Sequence, residues 1–270
     1  FCYIIGRFFE RSNRSFHGKI RKNKNQGNIE CLKFITMGAQ SCIGNFRRYF
    51  KGGRMKNTII FDLDGLLIDS EMISYQLYCD LTAIYGHTFS MEQYIHDYSG
   101  RTGVQNMQLL IETCRLPISL EEGLTFAEKK EREYLEKGVN LKPGAAELLS
   151  YLKKNQYQIL LASSSTRERA QGVLSRNGIA AFFDHMVFGV EVNRGKPYPD
   201  IFQKACEYAK EPPENCLVLE DSESGIQAAH AAGIDVICIP DMKEPGPEFE
   251  NMSAAKLSSL LDVIGWLEKQ

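Results

Sequence analysis

Long hydrophobic runs are absent from this chain of 270 residues: no apolar segment approaches the length of about 20 residues that a membrane-spanning helix needs. Eight cysteines are present, but none stands in a CxxC pair or at Cys/His ligand spacing, so the usual zinc and redox motifs are excluded. Cys216 and Cys238 lie inside apolar runs, where a reduced thiol acts as a small core hydrophobe. These features predict a cytoplasmic protein without a membrane partner rather than a secreted disulfide framework.

Basic residues are scarce in most of the chain. The formal net charge is −2, yet residues 1–54 hold 12 Lys and Arg against two acids, so residues 55–270 carry a net charge of −12. An acidic body argues against nonspecific binding of nucleic acid. We therefore expect a protein with no nucleic-acid partner, and we expect it to be a monomer.

The basic N-terminal segment shows no sign of a fold of its own. Residues 11–28 are polar, basic and without hydrophobic period, which predicts disorder. The Lys-Gly-Gly at 51–53 can be encoded by a purine-rich stretch that resembles a bacterial ribosome-binding site, just before Met55. We predict that the natural protein starts at Met55 and that residues 1–54 are a translated leader. A basic arm that binds nucleic acid or membrane is the alternative.

From residue 55 onward, short apolar runs alternate with longer amphipathic stretches. The predicted strands are residues 58–63, 158–162, 185–188, 216–219 and 235–239. The predicted helices between and after them are residues 143–155, 166–177, 198–210, 223–232 and 256–268. Short, β-rich runs bounded by polar residues are typical of buried strands. Their alternation with helices predicts an α/β fold, a doubly wound parallel sheet of the Rossmann-like type.

One long segment breaks the alternation. Residues 71–140 contain no convincing strand but several helical patterns, with capping boxes that begin at Ser90 and Ser119. The pattern predicts an all-α module inserted into a core made of residues 55–70 and 141–270. A ligand site is then expected between this helical cap and the C-terminal edge of the sheet.

Two carboxylates stand at the end of the first predicted strand. Asp62 and Asp64 are two residues apart, so their side chains point to the same side, where they repel unless a cation or a proton lies between them. Mg²⁺ can bind the carboxylate of Asp62 and the backbone carbonyl of Asp64, which leaves the Asp64 side chain free as a general acid or base. Gly65 allows a sharp turn that exposes N–H groups to an anion.

Polar groups also follow three later strands. Ser163 and Ser164 lead into a helix N-terminus, where hydroxyls and amides can bind a phosphate. Lys196 offers a positive charge for the phosphate and for the aspartates of the first strand. Glu220 and Asp221 form an acidic pair, in which Asp221 can complete a metal shell and Glu220 can support it.

These four segments resemble the four motifs of the haloacid dehalogenase-like hydrolase superfamily. FDLDGLLIDSE resembles motif one, LASSS motif two, GKPYPDIF motif three and VLEDSESGIQAA motif four. The helical insertion resembles the C1 cap of the subfamily that contains β-phosphoglucomutase and many sugar-phosphate phosphatases. The resemblance covers nearly all of residues 55–240.

The resemblance implies a magnesium-dependent phosphatase of a small phosphorylated metabolite, with a sugar phosphate as the expected class. Asp62 then forms an aspartyl-phosphate, and Asp64 first protonates the leaving alcohol and later deprotonates the attacking water. Mg²⁺, Lys196, Ser163 and nearby backbone N–H groups, among them that of Gly65, neutralise charge on the phosphoryl oxygens. Closure of the cap excludes water and gates the substrate.

Two alternatives to a phosphatase stay open. Members that resemble β-phosphoglucomutase usually carry a histidine where this chain has Ser74 and an arginine where it has Gly103, so a hydrolase is favoured over a phosphosugar mutase. A non-enzymatic phospho-acceptor of the receiver type also uses an aspartate, a hydroxyl and a lysine at strand ends. That class lacks the helical insertion and the second aspartate.

Substrate choice is expected to lie in the cap. Ser74, Arg101 and Gln105 are the candidate contacts. Tyr75 and Tyr78 are further candidates, although their spacing of three residues also suits simple packing on one helix face.

Overall fold

The computed structural model describes residues 56–270, so the predictions for residues 1–54 and for a start at Met55 lie outside the described residues. Within this part of the chain, six parallel strands form one sheet in the order β3-β2-β1-β4-β5-β6. The strands are β1 (Thr58–Phe61), β2 (Gln158–Ser163), β3 (His185–Phe188), β4 (Cys216–Glu220), β5 (Asp235–Cys238) and β6 (Ala255–Lys256). No helix of residues 56–270 combines the length and apolarity of a membrane span.

The same part of the chain contains ten α-helices. They are α1 (Ser70–Ile84), α2 (Met91–Gln93), α3 (Gly103–Cys114), α4 (Leu120–Lys137), α5 (Ala145–Lys154), α6 (Arg167–Arg176), α7 (Asp200–Ala209), α8 (Glu223–Ala231), α9 (Pro247–Met252) and α10 (Leu260–Leu267). A π-helical turn, Tyr94–Tyr98, continues α2, and short 3-10 turns lie at Ala180–Phe182, Gly189–Glu191 and Pro213–Asn215.

Helices cover both faces of the sheet, which explains why its central strands are apolar throughout. In β2, Ile159 and Leu161 belong to the core on one face, whereas Leu160 and Ala162 belong to the core on the other. Residues of α5, α6 and α10 complete the first core, and residues of α7 and α8 complete the second. A strand buried on both faces needs apolar residues at every position. The predicted doubly wound parallel sheet is confirmed.

Most strand and helix bounds agree with the predictions to within two residues, and two of the differences are informative. β1 ends at Phe61, so Asp62 is the first residue beyond it. The short edge strand β6 was not predicted, and it takes the start of the helix expected over residues 256–268, which begins only at Leu260. Two residues carry no readable period, and β6 is held by its neighbour β5 at the sheet edge.

The inserted segment is helical, as predicted, and has an apolar core of its own. Residues of α1, of the π-helical turn Tyr94–Tyr98 and of α3 form this cap core. The chain leaves the sheet and returns to it side by side, because Ile68 and Leu141 form an isolated antiparallel bridge. The proposed domain boundaries at residues 71 and 140 stay a prediction.

Candidate active site

The C-terminal ends of the central strands bring a buried lysine between two carboxylates. Asp62 follows β1, and its amide donates to the carbonyl of Leu219 in β4 at 3.1 Å. The Lys196 ammonium donates to Asp62 Oδ1 and, at 2.5 Å, to Glu220 Oε1. The three side chains are at most 9% exposed. Residues predicted from three separate motifs therefore meet at one point.

Glu220 holds the loop after β4 as well as the lysine. Its Oε2 accepts hydrogen bonds of 3.0 Å from the amides of Asp221 and Ser222 and from the Ser222 hydroxyl. Gly225 makes this arrangement possible, because a Cβ on it would lie 1.8 Å from Glu220 Oε1. This geometry agrees with the supporting role predicted for Glu220, which stays a prediction.

Two further carboxylates have oxygens without a partner. Asp221 Oδ1 and Asp241 Oδ2 are buried and accept no hydrogen bond from residues 56–270. Both carboxylates approach Gly65, where an added Cβ would lie 2.3 Å from Asp221 Oδ2 and 3.2 Å from Asp241 Oδ2. Gly65 has a φ of +80°, which only glycine adopts easily. The predicted sharp turn at Gly65 is thus present, and it admits the carboxylates.

Burial and mutual repulsion set the protonation of these groups. Burial raises the pKa of Asp62 to about 7, Glu220 and Asp64 act in the same direction, and Lys196 opposes them. Burial also raises the pKa of Asp221 well above its usual range, with the charges of Glu220, Asp62 and Asp241 adding to the effect. Burial lowers the pKa of Lys196, but the Asp62 and Glu220 carboxylates outweigh it, so that pKa is raised.

The donor set fits a hard divalent cation. Buried carboxylate oxygens without partners are costly unless a cation lies among them. Among residues 56–270, no group of three His, Cys, Asp or Glu side chains is arranged to hold a metal. The predicted shell does not need three side chains, because it combines the Asp62 and Asp221 carboxylates with the backbone carbonyl of Asp64. Oxygen ligands of this kind suit Mg²⁺.

The predicted phosphate-binding groups are only partly available for an anion. Ser163 is buried at the end of β2, and its Oγ accepts from the Ser165 amide at 3.0 Å, so the hydroxyl proton is left to donate. Ser164 is exposed at the start of the loop. The amide of Gly65 itself donates to the carbonyl of Ile68 at 3.1 Å within the turn, and a role of this segment in binding phosphate stays a prediction.

The Asp64 side chain is bound by an arginine. Its Oδ1 and Oδ2 accept from Arg169 Nη2 and Nη1 at 2.8 and 2.9 Å. The Nε of Arg169 donates to Glu131 in α4 of the cap at 2.8 Å. The Asp64 side chain is therefore bound by a residue of α6 that also binds the cap.

The cap candidates divide into packed and exposed residues. Tyr78 is buried, with its ring centroid 5.8 to 6.1 Å from those of three neighbouring aromatic residues, which favours packing. Gln105 is the N3 residue of a capping box, and its Oε1 accepts from the Thr102 amide at 3.1 Å. Arg101 is exposed, and Ser74 is half-buried. A substrate role for Ser74, Arg101 or Gln105 stays a prediction.

Three residues of this region were not singled out from the sequence. Asp241 follows β5 directly after Ile239 and Pro240, so the same strand-end rule that found the other acids would have found it. Arg169 lies in the first turn of α6, three residues beyond the N-cap Thr166, which is also a readable position. Glu131 carries no local signal, because its contact depends on how the cap lies against the core.

Comparisons with known proteins agree with this geometry. The family model for haloacid dehalogenase-like hydrolases matches residues 59–239. A phosphorylated carbohydrates phosphatase of Thermotoga maritima is 31% identical over 179 residues, which cover 66% of this chain and 82% of that protein. A (DL)-glycerol-3-phosphatase of Arabidopsis thaliana is 31% identical over 211 residues, which cover 76% of this chain and 70% of that protein.

A solved structure shares the fold. It is a HAD family hydrolase from Deinococcus radiodurans with bound phosphate and sodium, with a TM-score of 0.71 and 24% identity over 80% of this chain and 97% of that one. The parallel sheet, the acidic site at its strand ends and the helical cap agree with a Rossmann-like fold that carries an inserted cap. The chain belongs to the haloacid dehalogenase-like hydrolase family. The predictions of the family and of an enzyme of the phosphatase class are confirmed.

Proposed function

We propose that this chain is a Mg²⁺-dependent phosphatase that hydrolyses a small sugar or polyol phosphate through an aspartyl-phosphate on Asp62. The observation that carries the proposal is the buried Asp62–Lys196–Glu220 array, with the partnerless Asp221 oxygen beside it. The names of the two relatives, which act on phosphorylated carbohydrates and on glycerol 3-phosphate, support this substrate class.

The chemistry divides into two displacements at phosphorus. In the first, an oxygen of Asp62 attacks phosphorus while the bond to the substrate alcohol breaks, and Asp64 gives its proton to the leaving oxygen. In the second, Asp64 takes a proton from water, whose oxygen attacks phosphorus and breaks the bond to Asp62. Phosphate leaves, and both aspartates return to their first state.

The surrounding residues bind the phosphoryl group and its charge. Lys196 and the Ser163 hydroxyl donate to phosphoryl oxygens, and Lys196 also orients Asp62. Asp62, Asp221 and the carbonyl of Asp64 hold Mg²⁺, which supplies positive charge to the phosphoryl oxygens when bound. The cap lies over this edge of the sheet and excludes water when it closes.

Two measurements test the proposal. Phosphate release is assayed over sugar phosphates, polyol phosphates, nucleotides and phosphoserine, with Mg²⁺ and with EDTA. We expect turnover of a sugar or polyol phosphate that EDTA abolishes. Intact mass measurement of the Asp64→Asn variant with p-nitrophenyl phosphate is expected to show a phosphorylated protein, because this leaving group needs no acid in the first displacement while the second displacement lacks its base. Turnover unaffected by EDTA, or no phosphorylated species, would contradict the proposal.

The fate of the phosphoryl group distinguishes a phosphosugar mutase from a phosphatase. β-Glucose 1-phosphate is supplied with a bisphosphate primer, and glucose 6-phosphate and free phosphate are followed together. We expect free phosphate to form without catalytic production of glucose 6-phosphate, because Ser74 lacks the imidazole found at that position in mutases. Catalytic production of glucose 6-phosphate would favour the mutase.

A further inference from the structure

One arginine connects the predicted acid/base residue to the cap. Arg169 binds both oxygens of Asp64 through its two Nη atoms, at 2.8 and 2.9 Å. Its Nε donates to Glu131 Oε1 at 2.8 Å, and its Nη1 also donates to Ser165 Oγ at 3.0 Å. The planar guanidinium is therefore bound on three sides, by the core strand end, by the loop after β2 and by the cap.

This arrangement differs from an ordinary surface ion pair. Exposed pairs are mobile and contribute little, but the Arg169 side chain is only 19% exposed. A two-point contact between guanidinium and carboxylate fixes the plane of the carboxylate as well as its distance. The orientation of Asp64 is thus set by Arg169, and the orientation of Arg169 is set in part by Glu131, which belongs to the cap helix α4.

We infer that Arg169 is a positioning residue for Asp64 and that Glu131 makes this positioning depend on the cap. The inference rests on the proposed function, in which Asp64 protonates the leaving alcohol. When Asp64 has given up its proton, the carboxylate that remains is bound by the two Nη donors of Arg169. The same contact keeps that carboxylate in place until it takes a proton from the attacking water.

A series of leaving groups tests the role of Arg169. p-Nitrophenyl phosphate, phenyl phosphate and glycerol 3-phosphate depend increasingly on protonation of the leaving oxygen. We expect Arg169→Met to lower kcat/KM, which reports the first displacement alone, by about 100-fold for glycerol 3-phosphate and by less than about fivefold for p-nitrophenyl phosphate, the range of a lost general acid. Arg169→Lys keeps the positive charge but cannot make the two-point contact with Asp64. Its loss of activity should therefore be smaller than that of Arg169→Met.

Activity on p-nitrophenyl phosphate shows that each variant is folded and binds phosphoryl groups. Arg167→Met is the matched control, because Arg167 lies on the same helix but binds Glu191 at 2.5 Å instead of Asp64. Its kcat/KM is expected to be unchanged across the series. An equal loss for Arg169→Met on all three esters, or a gain on glycerol 3-phosphate, would overturn the positioning role.

A double-mutant cycle tests the connection to the cap. We expect Glu131→Gln to reduce kcat/KM by a smaller factor than Arg169→Met, with the same dependence on the leaving group. The double variant is expected to be no slower than Arg169→Met alone, because both changes act through one contact. Glu128→Gln is the control, since Glu128 pairs with Arg132 on the exposed side of the same helix. Multiplicative losses in the double variant would overturn the cap connection.

Asp64→Asn separates this inference from the proposed function. A steep leaving-group dependence in Asp64→Asn together with an even loss in Arg169→Met would overturn only the role of Arg169. An even loss of kcat/KM in Asp64→Asn would show that Asp64 is not the acid, and the proposed mechanism would then be wrong whatever the role of Arg169.

Discussion

The core and the cap bury different kinds of polar group: carboxylates in the core, and in the cap the uncharged Tyr98 hydroxyl and Asn106 amide, which also leave oxygens without a partner among residues 56–270. In the core, Asp62 and Glu220 are buried against Lys196, and oxygens of Asp221 and Asp241 are buried with no partner among residues 56–270. In the cap, the interior is a cluster of aromatic rings with neighbouring centroids 5.0 to 6.4 Å apart. The rings belong to Tyr75, Tyr78, Phe89, Tyr94 and Tyr98.

We expect this difference between core and cap to separate the chemical step from the choice of substrate. The core keeps carboxylates in positions that are unfavourable without a cation, an arrangement typical of active sites. The cap is stabilised by apolar packing and presents few charges to the core, chiefly Glu131 through Arg169. A change in the core is therefore expected to affect the chemical step. A change in the cap is expected to affect the choice or positioning of substrate, except at Glu131, which reaches the acid/base residue through Arg169.

The largest effect is expected at the nucleophile. Asp62→Asn keeps the shape of the side chain but removes the attacking oxygen, so kcat should fall by more than about 10⁴-fold, as in other enzymes that lose their nucleophile. Phosphate release and intact mass give the measurement. Asp235→Asn is a matched control, because Asp235 is exposed at the opposite end of a strand and binds Lys56. Near-normal turnover by Asp62→Asn would refute the mechanism.

The buried lysine should affect both stability and turnover. Lys196→Met leaves Asp62 and Glu220 buried without their cation, which typically costs about 3 kcal/mol in the free energy of unfolding. Urea unfolding of the metal-free protein measures this loss, and kcat should fall with it because Asp62 is no longer oriented. Lys204→Met is the control, since Lys204 donates to a backbone carbonyl at the partly exposed edge of α7. Equal stability of the two variants would show that the core carboxylates do not depend on Lys196.

The sequence predicted the core better than it predicted the contacts of the cap. The core strands are short, apolar and followed by polar residues, so both the parallel sheet and the meeting of Asp62, Lys196 and Glu220 followed from the pattern. Parallel strands bring their C-terminal ends to one edge, which turns positions along the sequence into positions in a site. The edge strand β6 was missed because two residues hold no period.

The contacts between cap and core could not be predicted in the same way. The helices of the cap have capping boxes and apolar stripes, but these fix each helix and not its position against the sheet. Glu131 meets Arg169 across 38 residues of sequence, and no local pattern indicates that pairing. The turn at Gly65 was predicted, but the bond of its own amide to the carbonyl of Ile68 was not.

A pair of glycines tests how closely the core carboxylates are packed. Gly65→Ala places a Cβ 2.3 Å from Asp221 Oδ2 at a φ of +80°, so the metal site should be displaced. We expect the Mg²⁺ concentration for half-maximal activity to rise about tenfold. Gly86→Ala in the cap has a φ of +77° with no atom within 4 Å, so it carries a similar backbone cost of about 1–2 kcal/mol without affecting Mg²⁺. If both variants need the same Mg²⁺ as wild type, Gly65 has no special relation to the site.

The smallest effect is expected where the cap also buries a charge. Glu71 lies in the first turn of α1 and accepts from the Tyr94 hydroxyl at 2.8 Å, and burial raises its pKa above the ordinary 4.5, with Asp241 and Asp64 adding to the rise. A carboxyl group with a higher pKa in the folded state loses stability as the pH rises from its unfolded pKa through its folded pKa. Glu71→Gln cannot ionise and still accepts from Tyr94.

The stability of Glu71→Gln relative to wild type should therefore increase as the pH rises above about 4.5 and become constant above the folded pKa of Glu71. Urea unfolding of both proteins over this range measures the difference, in which the titrations of the core carboxylates cancel to first order. The exposed Glu92→Gln provides a control in the same cap. A difference that does not change with pH would mean that ionisation of Glu71 does not destabilise the folded protein. Carboxyl groups strained by burial would then be a feature of the core and not of Glu71 in the cap.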